Sequence, residues 1–209
     1  INWEMDLMKQ ADIVLCSSEY LKEKVISRSG INREVHIINN AISLPQIRHF
    51  DSFPSKVQDA INLLKSLKCS LLYIGTISQW FDFKLICEAL DKKEDVQLVL
   101  IGPKDCDIPS HKQIHYIGSV ERQYIYSLME QASALVMPFI VNELIRSVNP
   151  VKMYEYIYME KPIIAPHYGE MEKFLPYVNL YHDNDEFMSL VDQLSKSELQ
   201  ISSEKGNEM

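Results

Sequence analysis

Long apolar runs are absent from this chain of 209 residues. No stretch approaches the roughly 18 consecutive apolar residues that a membrane-spanning helix requires. Residues 1–4 show neither the basic segment nor the apolar segment of a secretory signal. We therefore expect neither a membrane span nor secretion. Because the chain begins with isoleucine and enters a helical pattern almost at once, we also expect further sequence upstream.

An excess of basic charge is also lacking. The 21 lysines and arginines are outnumbered by 29 aspartates and glutamates, which gives a formal net charge of −8. Proteins that bind nucleic acid neutralise many phosphates with lysine and arginine. Nucleic acid is therefore not expected as a partner, and any phosphate bound by this chain must be held by a few local groups.

Paired cysteine motifs are missing as well. The four cysteines are scattered without any CxxC spacing, at Cys16, Cys69, Cys87 and Cys106. Cys16 and Cys69 lie in apolar runs that favour buried strands, so we expect reduced core thiols in a cytoplasmic protein. His111 and His115 are close in sequence, but they lack a third ligand and a helical pattern. We expect no metal site and no cofactor.

Short apolar runs alternate with longer amphipathic stretches along most of the chain. Seven runs favour strands, at residues 13–16, 35–38, 70–75, 96–101, 114–117, 134–137 and 162–165. Most lack strict alternation of polar and apolar residues, as strands covered on both faces do. Helical spacing lies between them, at residues 57–64, 85–90 and 124–129. The predicted fold class is α/β, with a Rossmann-like, doubly wound parallel sheet.

A division of the chain is predicted near residue 45. Residues 39–54 contain two prolines, two asparagines and little apolar periodicity, which is typical of a linker. We interpret residues 1–44 as a remnant βαβ unit with its linker, and residues 45–194 as a larger Rossmann-like domain. Residues 195–209 are rich in serine, glutamate and lysine, and we predict a polar tail there.

Glycine is scarce, with six residues, and three of these end predicted strands: Gly75, Gly102 and Gly118. In open α/β sheets, ligands bind outside the carboxyl ends of the strands. Glycine there lets a ligand approach the backbone, and Thr76 follows directly after Gly75. The alternative for each glycine is an ordinary turn.

The strongest candidate site is the sequence SVNPVKMYEY, which begins at Ser147. Ser147 or Asn149 can cap a helix that has Pro150 in its first turn. The free N–H groups and the dipole of such a helix start can bind a diphosphate, and Lys152 adds positive charge. Glu155 lies three residues further on, nearly on the same face, where its carboxylate can accept both hydroxyls of a ribose. The alternative is a surface Lys–Glu pair on an ordinary helix.

Further residues near strand ends have structural interpretations. Asp82 is predicted to cap the helix that follows it, and the pair Ser17-Ser18 is predicted to cap the helix that begins at Glu19. Trp80 can stack on a ligand or pack on the sheet, and we favour packing.

Six segments follow one another in a distinctive order: LYIG at 72–75, LVLIGP at 98–103, IHYIG at 114–118, MPF at 137–139, NPVKMYEY at 149–156 and KPIIA at 161–165. Their order and spacing resemble the C-terminal domain of GT-B glycosyltransferases, over roughly residues 68–190. Within that fold, the chain is most similar to bacterial polysaccharide-assembly enzymes of the group 1, family 4-like kind, including the teichuronic-acid type.

The resemblance implies roles for the strand-end loops. Gly75 and Thr76 match the glycine loop that approaches the phosphates of the donor. Tyr116, Ile117 and Gly118 match the segment that lies against the nucleotide base.

The resemblance also implies roles for the helix start. Asn149, Pro150 and Lys152 match the diphosphate-binding helix start, and Glu155 matches the carboxylate that holds the ribose. Ser147 and Val148, directly before them, are further candidates for donor binding. Many relatives carry a second glutamate eight positions before the ribose carboxylate, where it contacts the transferred sugar.

The second glutamate is absent from this sequence, because Ser147 occupies its position. Glu143 could replace that glutamate if its loop folds back. The two candidate catalytic residues are Glu143 and Lys152, and Lys152 would stabilise the departing diphosphate.

The implied activity is transfer of a sugar from a UDP- or GDP-linked donor, which is a substrate and not a cofactor. The implied acceptor is a saccharide or a lipid-linked acceptor of surface polysaccharide synthesis. Peripheral association with the inner face of the membrane would involve the acceptor-side domain, most of which is missing, so this chain alone is expected to be inactive. Two alternatives remain open: a sugar-nucleotide epimerase of the same fold, and a non-catalytic nucleotide-binding module.

Overall fold

Two parallel β-sheets organise the chain. The computed structural model describes residues 2–29, 34–43 and 50–199. One sheet has two strands and lies near the start of the sequence, and the other has six strands. The structure confirms the predicted α/β class.

The first sheet belongs to a βαβ unit, as the sequence predicts. Its elements are α1 (Asn2–Gln10), β1 (Val14–Cys16), α2 (Glu19–Ser29) and β2 (Val35–Ile37). The strands pair in parallel, with Val14 opposite Val35. The predicted cap of α2 is confirmed, because the Ser18 hydroxyl accepts a 3.2 Å hydrogen bond from the N–H of Leu21. Four residues form a small core of their own: Val14, Cys16, Val25 and Val35.

The second sheet contains six parallel strands. They are β3 (Cys69–Ile74), β4 (Val96–Ile101), β5 (Ile114–Gly118), β6 (Ala134–Val136), β7 (Ile163–Pro166) and β8 (Asn179–Tyr181). Their spatial order is β5-β4-β3-β6-β7-β8, the doubly wound Rossmann order, which reverses direction beside β3. Five of these strands are predicted from apolar runs. The sixth, β8, was missed because it has three residues, of which one is asparagine.

Helices cover this sheet and complete the core. They are α3 (Ser55–Ser66), α4 (Phe83–Lys92), α5 (Ile125–Glu130), α6 (Glu143–Ser147), α7 (Val151–Tyr158) and α8 (Asn184–Ser195), with 3₁₀ helices at Arg122–Tyr124 and Gly169–Phe174. The predicted apolar face of α3 is the buried one, and the same holds for α4. Every residue of β3 is buried because helices cover both faces.

The thiols of Cys16 and Cys69 are buried and free, as expected for core residues. Burial raises the pKa of Cys69 to about 11, so this thiol stays protonated near neutral pH. Both cysteines therefore pack as small apolar side chains.

Two predictions concern the division of the chain and its polar tail. The predicted boundary near residue 45 lies outside the described residues, as does most of the predicted tail, residues 200–209. The last helix, α8, ends at Ser195 as the tail begins. Among the residues that are described, no helix is both long enough and apolar enough to cross a membrane.

Candidate functional site

A cleft of about 490 Å³ opens at the point where the strand order reverses. Loops that follow β3 and β6 form its walls together with the start of α7. Its lining includes Gly75, Thr76, Trp80, Phe139, Val148 and Lys152. Ligands of doubly wound sheets bind at this reversal point, so the cleft is the candidate site.

The glycine loop after β3 is held by its neighbours. The hydroxyl of Tyr73 donates a 2.8 Å hydrogen bond to the carbonyl of Thr76, and the N–H of Gly75 donates to the carbonyl of Ile101 at 2.9 Å. Burial raises the pKa of Tyr73, so its hydroxyl remains a donor. A Cβ atom at Gly102 would lie 2.1 Å from the carbonyl oxygen of Gly75. The two loops can therefore touch only because residue 102 has no side chain.

The far side of this loop pairs with the loop after β6. The N–H of Asp82 donates to the carbonyl of Pro138 at 2.8 Å, and the N–H of Ile140 donates to the carbonyl of Trp80 at 2.8 Å. The Asp82 carboxylate accepts from Leu85 N–H at 2.9 Å, which confirms the predicted cap of α4. Trp80 packs against the core, as predicted, and its remaining surface lines the cleft.

The start of α7 differs from the prediction. The helix is preceded by Pro150 at its N-cap and has no side-chain cap. Ser147 instead closes the short helix α6, and its hydroxyl donates to the carbonyl of Leu144 at 2.6 Å. The prediction that Ser147 or Asn149 caps α7 is therefore wrong, because an additional helix occupies the preceding loop.

Asn149 is buried and faces away from the cleft lining. Its Oδ1 accepts from the N–H of Asn40 at 3.3 Å, and its Nδ2 donates to the carboxylate of Glu170 at 3.1 Å. Glu170 also accepts from the N–H of Glu19 at 2.8 Å and from Lys173 at 2.6 Å. The Asn149 side chain thus ties the segment before α7 to the first βαβ unit. The predicted contact of Asn149 with a diphosphate stays a prediction.

Lys152 and Glu155 meet as their spacing predicts. The Nζ of Lys152 lies 2.8 Å from Oε2 of Glu155, while Lys152 also lines the cleft. Glu155 is only 1% exposed, and its other oxygen, Oε1, accepts from Nη2 of Arg122 at 2.8 Å. A buried carboxylate therefore stands behind the cleft with one cation on each oxygen.

Arg122 is the residue that sequence reasoning missed. It lies 33 positions before Glu155, in the 3₁₀ helix Arg122–Tyr124. The available signal was its place shortly after Gly118, in a loop at the same edge of the sheet. That signal identifies a position near the site but not the contact with Glu155.

The predicted base-binding segment borders a second hollow. Tyr116 and Ile117 line this hollow of about 420 Å³ together with Lys56. The hydroxyl of Tyr116 donates to the carbonyl of Gly102 at 3.0 Å, and the N–H of Gly102 donates to the carbonyl of Gly118 at 3.1 Å. Because Gly102 also touches Gly75, the segment and the cleft lie side by side along one edge of the sheet.

The structure turns Glu143 away from the cleft lining. Its Oε1 lies 2.6 Å from Nζ of Lys24 and 3.9 Å from Nη2 of Arg28, both on α2. The hydrogen bond from Lys24 lowers the pKa of Glu143. Glu143 was a candidate only if its loop folds back, and in this structure Leu144 and Ile145 of that segment line the cleft.

The two histidines that the sequence brings close together have separate partners. His111 Nε2 lies 3.2 Å from a carboxylate oxygen of Asp91, and His115 Nε2 lies 2.5 Å from the amide oxygen of Gln97. Within residues 2–29, 34–43 and 50–199, no group of three or more His, Cys, Asp or Glu side chains is arranged to hold a metal ion.

No protein-family model matches the chain. A curated relative is TuaH of Bacillus subtilis (strain 168), whose name assigns it to teichuronic acid biosynthesis as a glycosyltransferase. It is 26% identical over 194 residues, which cover 87% of this chain and 47% of TuaH. The chain thus spans about half the length of this relative.

Solved structures share the arrangement over nearly the whole chain. HepE of Anabaena, in complex with UDP and glucose, superposes with a TM-score of 0.74 at 15% identity, covering 97% of this chain and 59% of HepE. The chain has the GT-B glycosyltransferase fold. A second GT-B structure, the trehalose-6-phosphate synthase OtsA, matches with a TM-score of 0.69 at 9% identity, covering 92% of this chain and 54% of OtsA.

Proposed function

We propose that this GT-B chain binds the nucleoside diphosphate of an activated sugar and serves in transfer of that sugar to an acceptor. One observation carries the proposal: the glycine loop after β3 and the start of α7 share a single cleft at the reversal point of the sheet. Lys152 lines this cleft, and Glu155 stands directly behind it.

The diphosphate fits the start of α7. The first N–H groups of a helix have no acceptor within the helix, and they carry the positive end of its dipole. Lys152 adds a full positive charge from the first turn, and the close approach of Gly75 and Thr76 completes the enclosure. As the bond between the sugar and the diphosphate breaks, negative charge grows on the leaving diphosphate. These groups then stabilise the transition state.

The nucleoside is proposed to bind the residues next to the diphosphate site. Glu155 accepts the ribose hydroxyls, and Tyr116, Ile117 and Gly118 lie against the base. The complexes of HepE with UDP and with UDP-glucose favour uridine as the nucleoside. The name of TuaH, a teichuronic acid biosynthesis glycosyltransferase, favours an acceptor of surface polysaccharide synthesis. We propose a saccharide or lipid-linked acceptor of this kind, at the inner face of the membrane.

Calorimetry tests the binding step. The chain is titrated with UDP and GDP, alongside Lys152→Met and the control Lys68→Met. Lys68 is a matched cation, because it forms a 2.9 Å ion pair with Asp95 at the opposite end of β3. We expect wild type and the control to bind UDP alike, and Lys152→Met to bind on the order of tenfold more weakly. Failure of both nucleotides to bind, or equal binding by Lys152→Met, would contradict the proposal.

The transfer step is tested with UDP-glucose in the presence and absence of saccharide acceptors. Transfer predicts UDP release that depends on the acceptor. Formation of an isomerised sugar nucleotide in the absence of an acceptor would indicate an epimerase instead of a glycosyltransferase.

A further inference from the structure

Glu155 is shared by two cations of different character. Arg122 is attached to a separate element, the 3₁₀ helix Arg122–Tyr124, and its side chain is 74% exposed. Lys152 belongs to the same helix as Glu155, lines the cleft and is 28% exposed. The guanidinium group of Arg122 lies 2.8 Å from Oε1 of Glu155, and the ammonium group of Lys152 lies 2.8 Å from Oε2.

A buried carboxylate needs a compensating positive charge nearby. Glu155 is 1% exposed, so water cannot replace the cations that neutralise it. Removing every partner from such a group leaves an uncompensated charge in a medium of low polarity, which is strongly unfavourable. We therefore expect at least one of the two cations to remain beside Glu155 when a ligand binds.

A bound diphosphate competes for Lys152. This ammonium lies at the start of α7, where the proposed function places the phosphates, and a diphosphate carries more negative charge than one carboxylate. When Lys152 turns towards the phosphates, Oε2 of Glu155 becomes available to accept a hydroxyl. A carboxylate offers about four acceptor positions, so Oε1 can keep its bond to Arg122 while hydroxyls bind the others.

We propose that Arg122 is a positioning residue for the ribose carboxylate. It orients Glu155 and compensates its charge while Lys152 binds the diphosphate, and it acts through Glu155 without needing to touch the phosphates. This inference rests on the proposed function. In this arrangement Arg122 supports binding of the ribose through Glu155, and Lys152 binds the diphosphate.

A ligand series separates these roles. Uridine, UMP and UDP are titrated against wild type, Arg122→Met, Lys152→Met and the control Lys68→Met, whose cation has the same 74% exposure as Arg122. Arg122→Met is expected to weaken all three ligands, because they share the ribose. It should weaken UDP most, on the order of tenfold, because UDP also draws Lys152 away from Glu155. Lys152→Met is expected to weaken UDP far more than uridine. Arg122→Lys should restore part of the affinity, since it returns one charged donor.

A double-mutant cycle tests whether Arg122 acts through Glu155. In the Glu155→Gln background, Arg122→Met should cause little further loss of uridine affinity. Thermal unfolding of each variant verifies that it is folded, and Arg122→Gln replaces Arg122→Met if the latter does not fold.

Three outcomes overturn the inference. The first is unchanged uridine affinity in Arg122→Met, and the second is an equal loss when Arg122→Met is made in the Glu155→Gln background. The third is tighter binding, which would make Arg122 a competitor of the ribose. If wild type binds none of the three ligands, the proposed function itself fails, and this result is distinct from the other three.

Discussion

The hydroxyl of Tyr156 accepts a 3.0 Å hydrogen bond from the backbone N–H of Ile74. Tyr156 lies in α7 and is fully buried, and Ile74 is the last residue of β3, directly before Gly75. This bond joins the helix of the proposed diphosphate site to the strand that carries the glycine loop. Burial raises the pKa of Tyr156, so the phenol stays neutral across the physiological range.

Tyr156→Phe should lower the free energy of unfolding by about 1–3 kcal/mol, because the buried N–H of Ile74 loses its acceptor. Urea denaturation measures the change. Tyr181→Phe is the matched control: its buried hydroxyl has no hydrogen-bond partner in the part of the chain that is described. Its removal should be neutral or slightly stabilising. Equal losses in the two variants would disprove the role of this bond.

Gly102→Ala should destabilise the protein by about 1–3 kcal/mol or more. The new methyl group would lie 2.1 Å from the carbonyl oxygen of Gly75, and the φ angle of +138° disfavours any side chain. Gly169→Ala is the control, because a Cβ there meets nothing within 4 Å. Chemical denaturation should separate the two variants clearly, and similar stabilities would rule out the close contact between the glycine loops.

Glu170→Gln should lower the free energy of unfolding by about 1–3 kcal/mol at pH 7. Burial by itself raises the pKa of Glu170, but the hydrogen bonds from Lys173, Asn149 and the N–H of Glu19 outweigh it and hold the pKa below its ordinary value of 4.5.

The effect of Glu170 on stability depends on pH. Because its pKa is lower in the folded state, ionised Glu170 stabilises the fold above pH 4.5, and this contribution is lost as the pH falls through the folded-state pKa. The difference between wild type and Glu170→Gln should therefore be constant at neutral pH and shrink under acid. Glu94→Gln, at a residue whose side chain is 89% exposed, is the control and should change little. A difference that persists unchanged in acid would contradict the assignment.

Asp82→Ala should cost about 1 kcal/mol, because α4 loses the side chain that accepts from Leu85 N–H. Asp82→Asn should keep most of the stability, since asparagine caps helices about as well. Thermal unfolding of both variants measures this. If alanine and asparagine are equivalent, the cap contributes nothing.

Local periodicity explains why most of the fold could be predicted. Strands such as β3 and β4 are continuous apolar runs, and the apolar spacing of α3 and α4 identifies the faces that are buried. Strand β8 was not predicted, because three residues are too few to show a strand periodicity.

The candidate site was predictable only where its residues are close in sequence. Lys152 and Glu155 are three positions apart on one helix, so their ion pair follows from helix geometry. Arg122 could not be assigned to Glu155, because a separation of 33 positions is bridged only by the packing of two elements. The local preference of asparagine for helix caps gave a wrong prediction for Asn149. Its amide group forms hydrogen bonds with Asn40 and Glu170 in the folded chain.

The sequence by itself determined seven of the eight described strands, the helices with clear apolar spacing, the glycines at the strand ends and the spacing of Lys152 and Glu155. Each of these depends on residues within a few positions. Only the tertiary structure decided that Arg122 completes the pair on Glu155, that Glu143 turns to α2 and that Asn149 binds the first βαβ unit. Those contacts depend on where separate elements pack, and a buried carboxylate or amide takes the partner that packing supplies.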